Sequence, residues 1–169
     1  MHNNHKTGFT LIEVLLSLVI LGILMAAVAV AFDASVNNYQ ANEGIYRTVN
    51  TARQTLLRIT NDLRTAQAVA VLGVPTGDPH ESRLSLLTAD GKDFTYRFDQ
   101  PTGVLYLDDN SDSAEYVLCR NVESMTFNRA YVPGDPGVVR NVRIVMTVTD
   151  PVSGVSQTLA AAAVVRRNL

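Results

Sequence analysis

The chain of 169 residues has one cysteine, Cys119, so an internal disulfide is excluded. The expected role of that thiol is a small buried apolar group rather than a reactive one. Histidine is nearly as scarce. Two of the three lie at positions 2 and 5, which leaves His80 alone in the rest of the chain, within a Pro/Gly-rich loop. One histidine and one cysteine do not make a usual structural zinc site. A hydrolase relying on histidine would have to use His80, yet no nucleophile elbow or oxyanion loop lies near it. His80 therefore reads as a surface loop residue. No glycine-rich phosphate loop follows a strand pattern, and no internal repeat or low-complexity linker is visible. Excess charge is also missing: 14 Lys and Arg against 16 Asp and Glu give a net charge of −2. That balance makes no electrostatic case for nucleic acid as a general partner. These absences point away from an enzyme and call for no cofactor.

What is present is one long apolar run, residues 9–32, holding a single charged side chain, Glu13, and no proline. As a helix it would extend about 36 Å, enough for a bilayer core of about 30 Å. An acid inside such a run is a functional candidate by default. Three readings of the run compete. A cleaved secretory signal would use Lys6 as its positive region and Ala29-Val30-Ala31 as its cleavage site, but its apolar core is normally 7–15 residues. A plain single-span anchor leaves both Glu13 and the Gly8-Phe9 junction unexplained.

The third reading is a resemblance. The stretch Lys6-Thr7-Gly8-Phe9-Thr10-Leu11-Ile12-Glu13-Val14-Leu15-Leu16-Ser17-Leu18 resembles the amino-terminal signature of type IV prepilins and type II secretion pseudopilins. The resemblance implies a leader, residues 1–8, removed by a prepilin peptidase that cuts between Gly8 and Phe9 and methylates the new amino terminus of Phe9. It also implies that the apolar helix, residues 9–32, stays on the mature protein as a transmembrane and assembly helix. Partners would then be other pilin or pseudopilin subunits, the prepilin peptidase, an inner-membrane assembly platform and membrane lipid. After cleavage the Phe9 amine and the Glu13 carboxylate are both poorly solvated in an apolar bundle. Pairing Glu13 with the amine of a neighbouring subunit relieves both, which gives Glu13 a subunit-docking role. The competing reading is that Glu13 only stabilises its own helix terminus through the macrodipole. Lys6 on the short side places that side in the cytoplasm and the larger domain in the periplasm, with the span in the inner membrane.

Past the run, the helical period continues. Val36, Tyr39, Tyr46, Val49, Leu56, Ile59, Leu63 and Ala66 recur at spacings of three, four and seven, predicting an amphipathic continuation over residues 33–69. Asn37, Asn38, Gln40, Arg47, Arg53, Arg58, Asp62 and Arg64 form the opposite, wet face. Glu43 with Arg47 and Arg58 with Asp62 are spaced for weak pairs. Gly44 is a weak point, costing about 1 kcal/mol relative to alanine. Gly73-Val74-Pro75-Thr76-Gly77-Asp78-Pro79 reads as a loop.

Residues 70–169 then read as an antiparallel β domain. Strands are predicted over 84–88 and 94–98 around the turn Ala89-Asp90-Gly91-Lys92. Others follow at 104–107, 116–119, 122–128, 139–149 and 155–165, the last with a short helix as the alternative. Pro133-Gly134-Asp135-Pro136-Gly137 and Asp150-Pro151-Val152-Ser153-Gly154 are the remaining turns. The fold class is thus α+β and pilin-like: a long amino-terminal helix whose amphipathic second half packs on an antiparallel sheet domain. Asp108, Asn110 and Asp112 are spaced like the start of a calcium loop. However, Ser113 stands where such a loop wants glycine, and Cys119 where it wants a bidentate glutamate. A polar hairpin tip is the preferred reading, and no metal is assigned.

The patterns Tyr96-Arg97-Phe98, Gly103-Val104-Leu105-Tyr106, residues 119–127 and Val142-Arg143-Ile144 are similar to minor pilins and the J-type minor pseudopilin. Absence of a proline near Val30 and of a disulfide favours that type over a major pilin. Such a subunit would serve a type IV pilus, a type II secretion pseudopilus or a DNA-uptake pseudopilus, in the initiating or tip complex. The alternative is a tip adhesin or DNA-uptake receptor displayed on the same stalk. Exposed clusters of aromatic or basic residues would mark it, whereas the loops hold mostly Gly, Pro, Asp and Ser.

Overall fold

Helix α1, Leu11–Thr65, follows the apolar run and its amphipathic continuation without a break, as expected where no proline removes a backbone donor. The computed structural model describes residues 8–70 and 82–166. The chain divides into two units, Met1–Asn42 and Glu43–Leu169, and α1 contributes to both. In the first unit every described residue from 8 to 40 is exposed, including Phe9, Leu11, Val30 and Phe32 at 70% or more. An apolar surface this continuous is suited to lipid or to neighbouring chains. By length and composition α1 is able to cross a membrane.

The second unit is a helix on antiparallel sheets. Eight strands are present among the described residues: β1 Ala66–Val69, β2 Arg83–Thr88, β3 Asp93–Asp99, β4 Val104–Asp109, β5 Ala114–Cys119, β6 Val122–Val132, β7 Asp135–Thr149 and β8 Ser156–Val164. The first five form one sheet in chain order and the last three a second. The predicted hairpin pairs Leu84 with Tyr96 and Leu86 with Phe94. In the second sheet Phe127 faces Ile144, which in turn faces Ala161. Ala52, Leu56, Ile59 and Leu63 of α1 share one core with Leu84, Tyr96 and Leu105 of the first sheet and Phe127, Val142 and Ile144 of the second. The architecture is α+β and pilin-like, with the second half of the long helix packed on antiparallel sheets.

Several expectations are corrected. The helix ends at Thr65, not near residue 69. Residues 66–69 instead pair with β2, Ala66 opposite Thr88 and Val69 opposite Leu86, so their backbone groups are satisfied by a ladder rather than another helical turn. Tyr39 and Tyr46 are 69% and 71% exposed; the buried stripe is Ala52, Leu56, Ile59 and Leu63. The β6–β7 turn is Pro133-Gly134 alone. Pro136 and Gly137 lie within β7, tolerated there because the register slips between Tyr131–Val139 and Val132–Asp135, leaving both without an opposed partner. The alanine-rich carboxy-terminal stretch is strand β8, as expected, and the helix alternative falls away. The predicted loop 73–79 and His80 lie outside the described residues.

Two glycines are demanded by geometry. Gly103 opens β4 at φ 64°, and an added Cβ would stand 3.0 Å from the carbonyl of Val122. At Gly44 a Cβ would stand 2.7 Å from Oδ1 of Asp150, so the helix is bare where that carboxylate meets it. Asp150 is itself buried. It accepts the Ser153 hydroxyl at 2.7 Å and the Ser153 amide at 2.8 Å, bonds that lower its pKa.

Candidate functional site

The site begins where the helix begins. Gly8, Phe9 and Thr10 precede α1 and are exposed, so the Gly8–Phe9 peptide bond lies in open, non-helical chain. Lys6 lies outside the described residues. Thr10 is the helix N-cap. Its hydroxyl donates to Oε2 of Glu13 at 2.9 Å, its backbone amide donates to the same oxygen at 2.9 Å, and the Glu13 amide approaches the Thr10 hydroxyl at 3.4 Å. This is a capping box, in which two amide donors that a helix start leaves unpaired are satisfied reciprocally. One turn on, the Ser17 hydroxyl donates to the Glu13 carbonyl at 2.7 Å. Thr10 was not singled out from the sequence, although Thr-x-x-Glu before an apolar run is the signal for it. In the free chain, then, the Glu13 carboxylate is engaged with its own helix terminus.

The acidic stretch that ends β4 and runs into the following turn is built differently. Asp108 receives Nε of Arg97 at 2.9 Å and a second guanidinium nitrogen at 3.4 Å, while Glu115 of β5 binds the same guanidinium. Arg97 also lies 4.6 Å from the centre of the Tyr106 ring. The Asp108 hydrogen bond, foremost, raises its pKa. Asn110 turns its amide nitrogen to Asp93 and to Thr95, each at 3.0 Å. Asp112 accepts the Ala114 amide at 3.1 Å, bracketing Ser113 in its left-handed conformation at φ 58°. The three calcium candidates are thus each committed to a different neighbour. Among the described residues no group of three or more His, Cys, Asp or Glu is arranged to hold a metal.

Residues 3–29 match the family described as the prokaryotic N-terminal methylation motif. The match takes in residues 3–8, the Gly8–Phe9 junction, the capping box and most of the apolar run. It supports a type IV prepilin-like protein. No curated protein and no solved structure matches the chain. For a prepilin-like chain the motif implies interaction with a prepilin peptidase and with other pilin subunits. Its family is structural rather than enzymatic. The motif and the exposed apolar helix fit membrane anchoring, with a carboxy-terminal domain beyond it.

Away from the motif, the second unit holds polar links that sequence reasoning missed. The buried Tyr96 hydroxyl donates to Asp62 on the face of α1 read as wet, and burial together with that bond raises the phenol pKa. Arg129 of β6 donates to the Ala70 carbonyl at 3.1 Å and to the Arg83 carbonyl, tying the two sheets together; burial lowers its pKa. On the exposed part of the helix Arg47 pairs with Glu43 at 2.5 Å and Arg58 approaches Asp62 at 4.0 Å, both as expected from their spacing. Cys119 is buried, and its thiol is pushed up to about 11 by that burial.

Proposed function

We propose that this protein is a minor pilin or pseudopilin: a structural subunit cut between Gly8 and Phe9, methylated on the Phe9 amine, and assembled through its apolar helix into the initiating or tip complex of a cell-envelope filament. One observation carries this reading. The run of exposed apolar helix has a single carboxylate, held at its amino-terminal turn beside an open Gly8–Phe9 junction. A peptidase needs non-helical backbone at the bond it cuts, and residues 8–10 are exposed and non-helical. Cleavage would create a cationic amine one residue before Thr10, at a helix terminus in an apolar medium. There a neighbouring subunit's Glu13 is its natural counter-ion. Docking would exchange the Thr10 donors on the Glu13 carboxylate for that amine, so the capping box keeps the acid ordered until a partner arrives. The domain would be periplasmic, and the partners would be other pilin-like subunits and the inner-membrane assembly platform.

Two measurements test the reading. Intact-mass analysis of the mature protein is expected to show a chain starting at Phe9 and one methyl group heavier. A chain starting at Phe32 would establish an ordinary secretory signal instead. Glu13→Gln separates docking from capping, because a glutamine still accepts the Thr10 hydrogen bonds of a capping box but carries no charge. Membrane insertion and folding should persist while incorporation into filaments drops sharply. Equal co-assembly of the glutamine variant and wild type would remove the docking role and leave Glu13 as a cap alone.

A further inference from the structure

The second sheet ends at β8, which is hydrogen-bonded to β7 on one side and to no described strand on the other. A free strand edge presents a row of backbone donors and acceptors, and folded proteins normally blunt it with charge, proline, a bulge or short length. The other edges follow that practice. β1 has four residues; β5 carries Glu115, and its register against β4 slips between Leu105 and Tyr106; β6 carries Glu123 and the cross-sheet Arg129. β8 does not. Its nine residues hold no charge and no proline, and its register with β7 is unbroken from Ser156 to Val164.

Beside this strand lies a groove of about 510 Å³ between α1 and β8, lined by Val49, Arg53, Leu56, Leu57 and Thr60 from the helix and by residues 157–161 from the strand. Leu57 is 58% exposed there. Arg53 is exposed and is the one charged residue of the lining. We propose that this groove receives an extended segment of a partner protein as an added strand on β8. Its apolar side chains would rest against Val49, Leu56 and Leu57, and one carboxylate would meet Arg53. Main-chain bonding to an edge supplies affinity in this mode of recognition, and alternate side chains supply selectivity. Charge decides against β8 of a second copy as occupant, since that strand offers no carboxylate to Arg53. The proposal goes beyond the assembly role and depends on neither the Gly8–Phe9 cleavage nor Glu13.

The test uses the full chain in detergent micelles and a synthetic nine-residue peptide alternating valine and threonine around a single aspartate, beside its lysine counterpart. Hydrogen exchange is followed at the β8 amides. The aspartate peptide is expected to slow alternate β8 amides, those not bonded to β7, while β5 amides are unaffected. Arg53→Glu, with an unchanged circular-dichroism spectrum, is expected to reverse the preference by about fivefold in favour of the lysine peptide. No slowing by either peptide at millimolar concentration overturns the proposal. So does equal slowing by both peptides in wild type and variant, and so does slowing that follows protein concentration without peptide, which would assign the edge to a second copy.

Discussion

At residue 119 a thiol sits 2% exposed, and burial raises its pKa from 9.0 to about 11 because a thiolate there would be poorly solvated. The group is neutral when protonated, so its contribution to stability is complete below pH 9. As pH rises from 9 toward 11 the unfolded chain releases its proton while the folded one keeps it, and stability falls by about 2–3 kcal/mol. The Tyr96 phenol is raised in the same sense from 10.0, so its loss begins inside this window and the comparison is with Cys119→Ala. Chemical denaturation at pH 8 and pH 11 should show wild type losing more stability than the variant, by that amount. Equal losses would mean the thiol is solvated. Asp150 has the opposite sign: its lowered pKa contributes stability above the ordinary carboxylate range that is lost as pH falls through the folded value. Cysteine burial was legible from the residue type alone, whereas the Asp150 approach to Gly44 was not. A glycine in a helix signals weakness by propensity, and only the contact shows that the missing Cβ makes room for a carboxylate.

At the scale of the element, α1 shows how far periodicity reaches. The spacing of Leu56, Ile59 and Leu63 identified the buried stripe, and the three are 5%, 0% and 0% exposed. The same period ran on through Tyr39 and Tyr46, which nothing in the described chain covers. Amphipathic spacing states which side of a helix is apolar; it does not state where along the axis a partner begins. Leu63→Ala is therefore expected to cost about 2–5 kcal/mol, while Tyr46→Ala stays within about 0.5 kcal/mol. Urea unfolding of both variants checks this, and a large loss at Tyr46 would show that the face continues. At the carboxy-terminal end of α1 the residues Ala66-Gln67-Ala68-Val69 suit a helix locally. They form a strand because Leu86, Leu87 and Thr88 are there to pair with them.

At the scale of the whole molecule the chain separates between Asn42 and Glu43. The second unit holds the entire buried core, from Ala52 to Ala163, and the first unit buries none of its described residues. A chain starting at Asn37 is accordingly expected to fold, and to be soluble and monomeric at moderate concentration. Sedimentation with a cooperative thermal transition would bear this out; an aggregated or molten product would show that the apolar half is part of the fold. Read alone, the sequence determined whatever depends on neighbours in the chain: the apolar run, its single acid four residues after Phe9, the helical stripe and the strand alternation. These follow from local geometry, because side-chain direction repeats with period 3.6 or 2. Tertiary structure alone decided the contacts between distant positions. Tyr96 finds Asp62, 34 residues away, and Arg129 finds Arg83 and Ala70, 46 and 59 residues away. No local pattern encodes such pairs, since they exist only once the sheets have closed around the helix and a buried polar group must take whichever partner lies within reach.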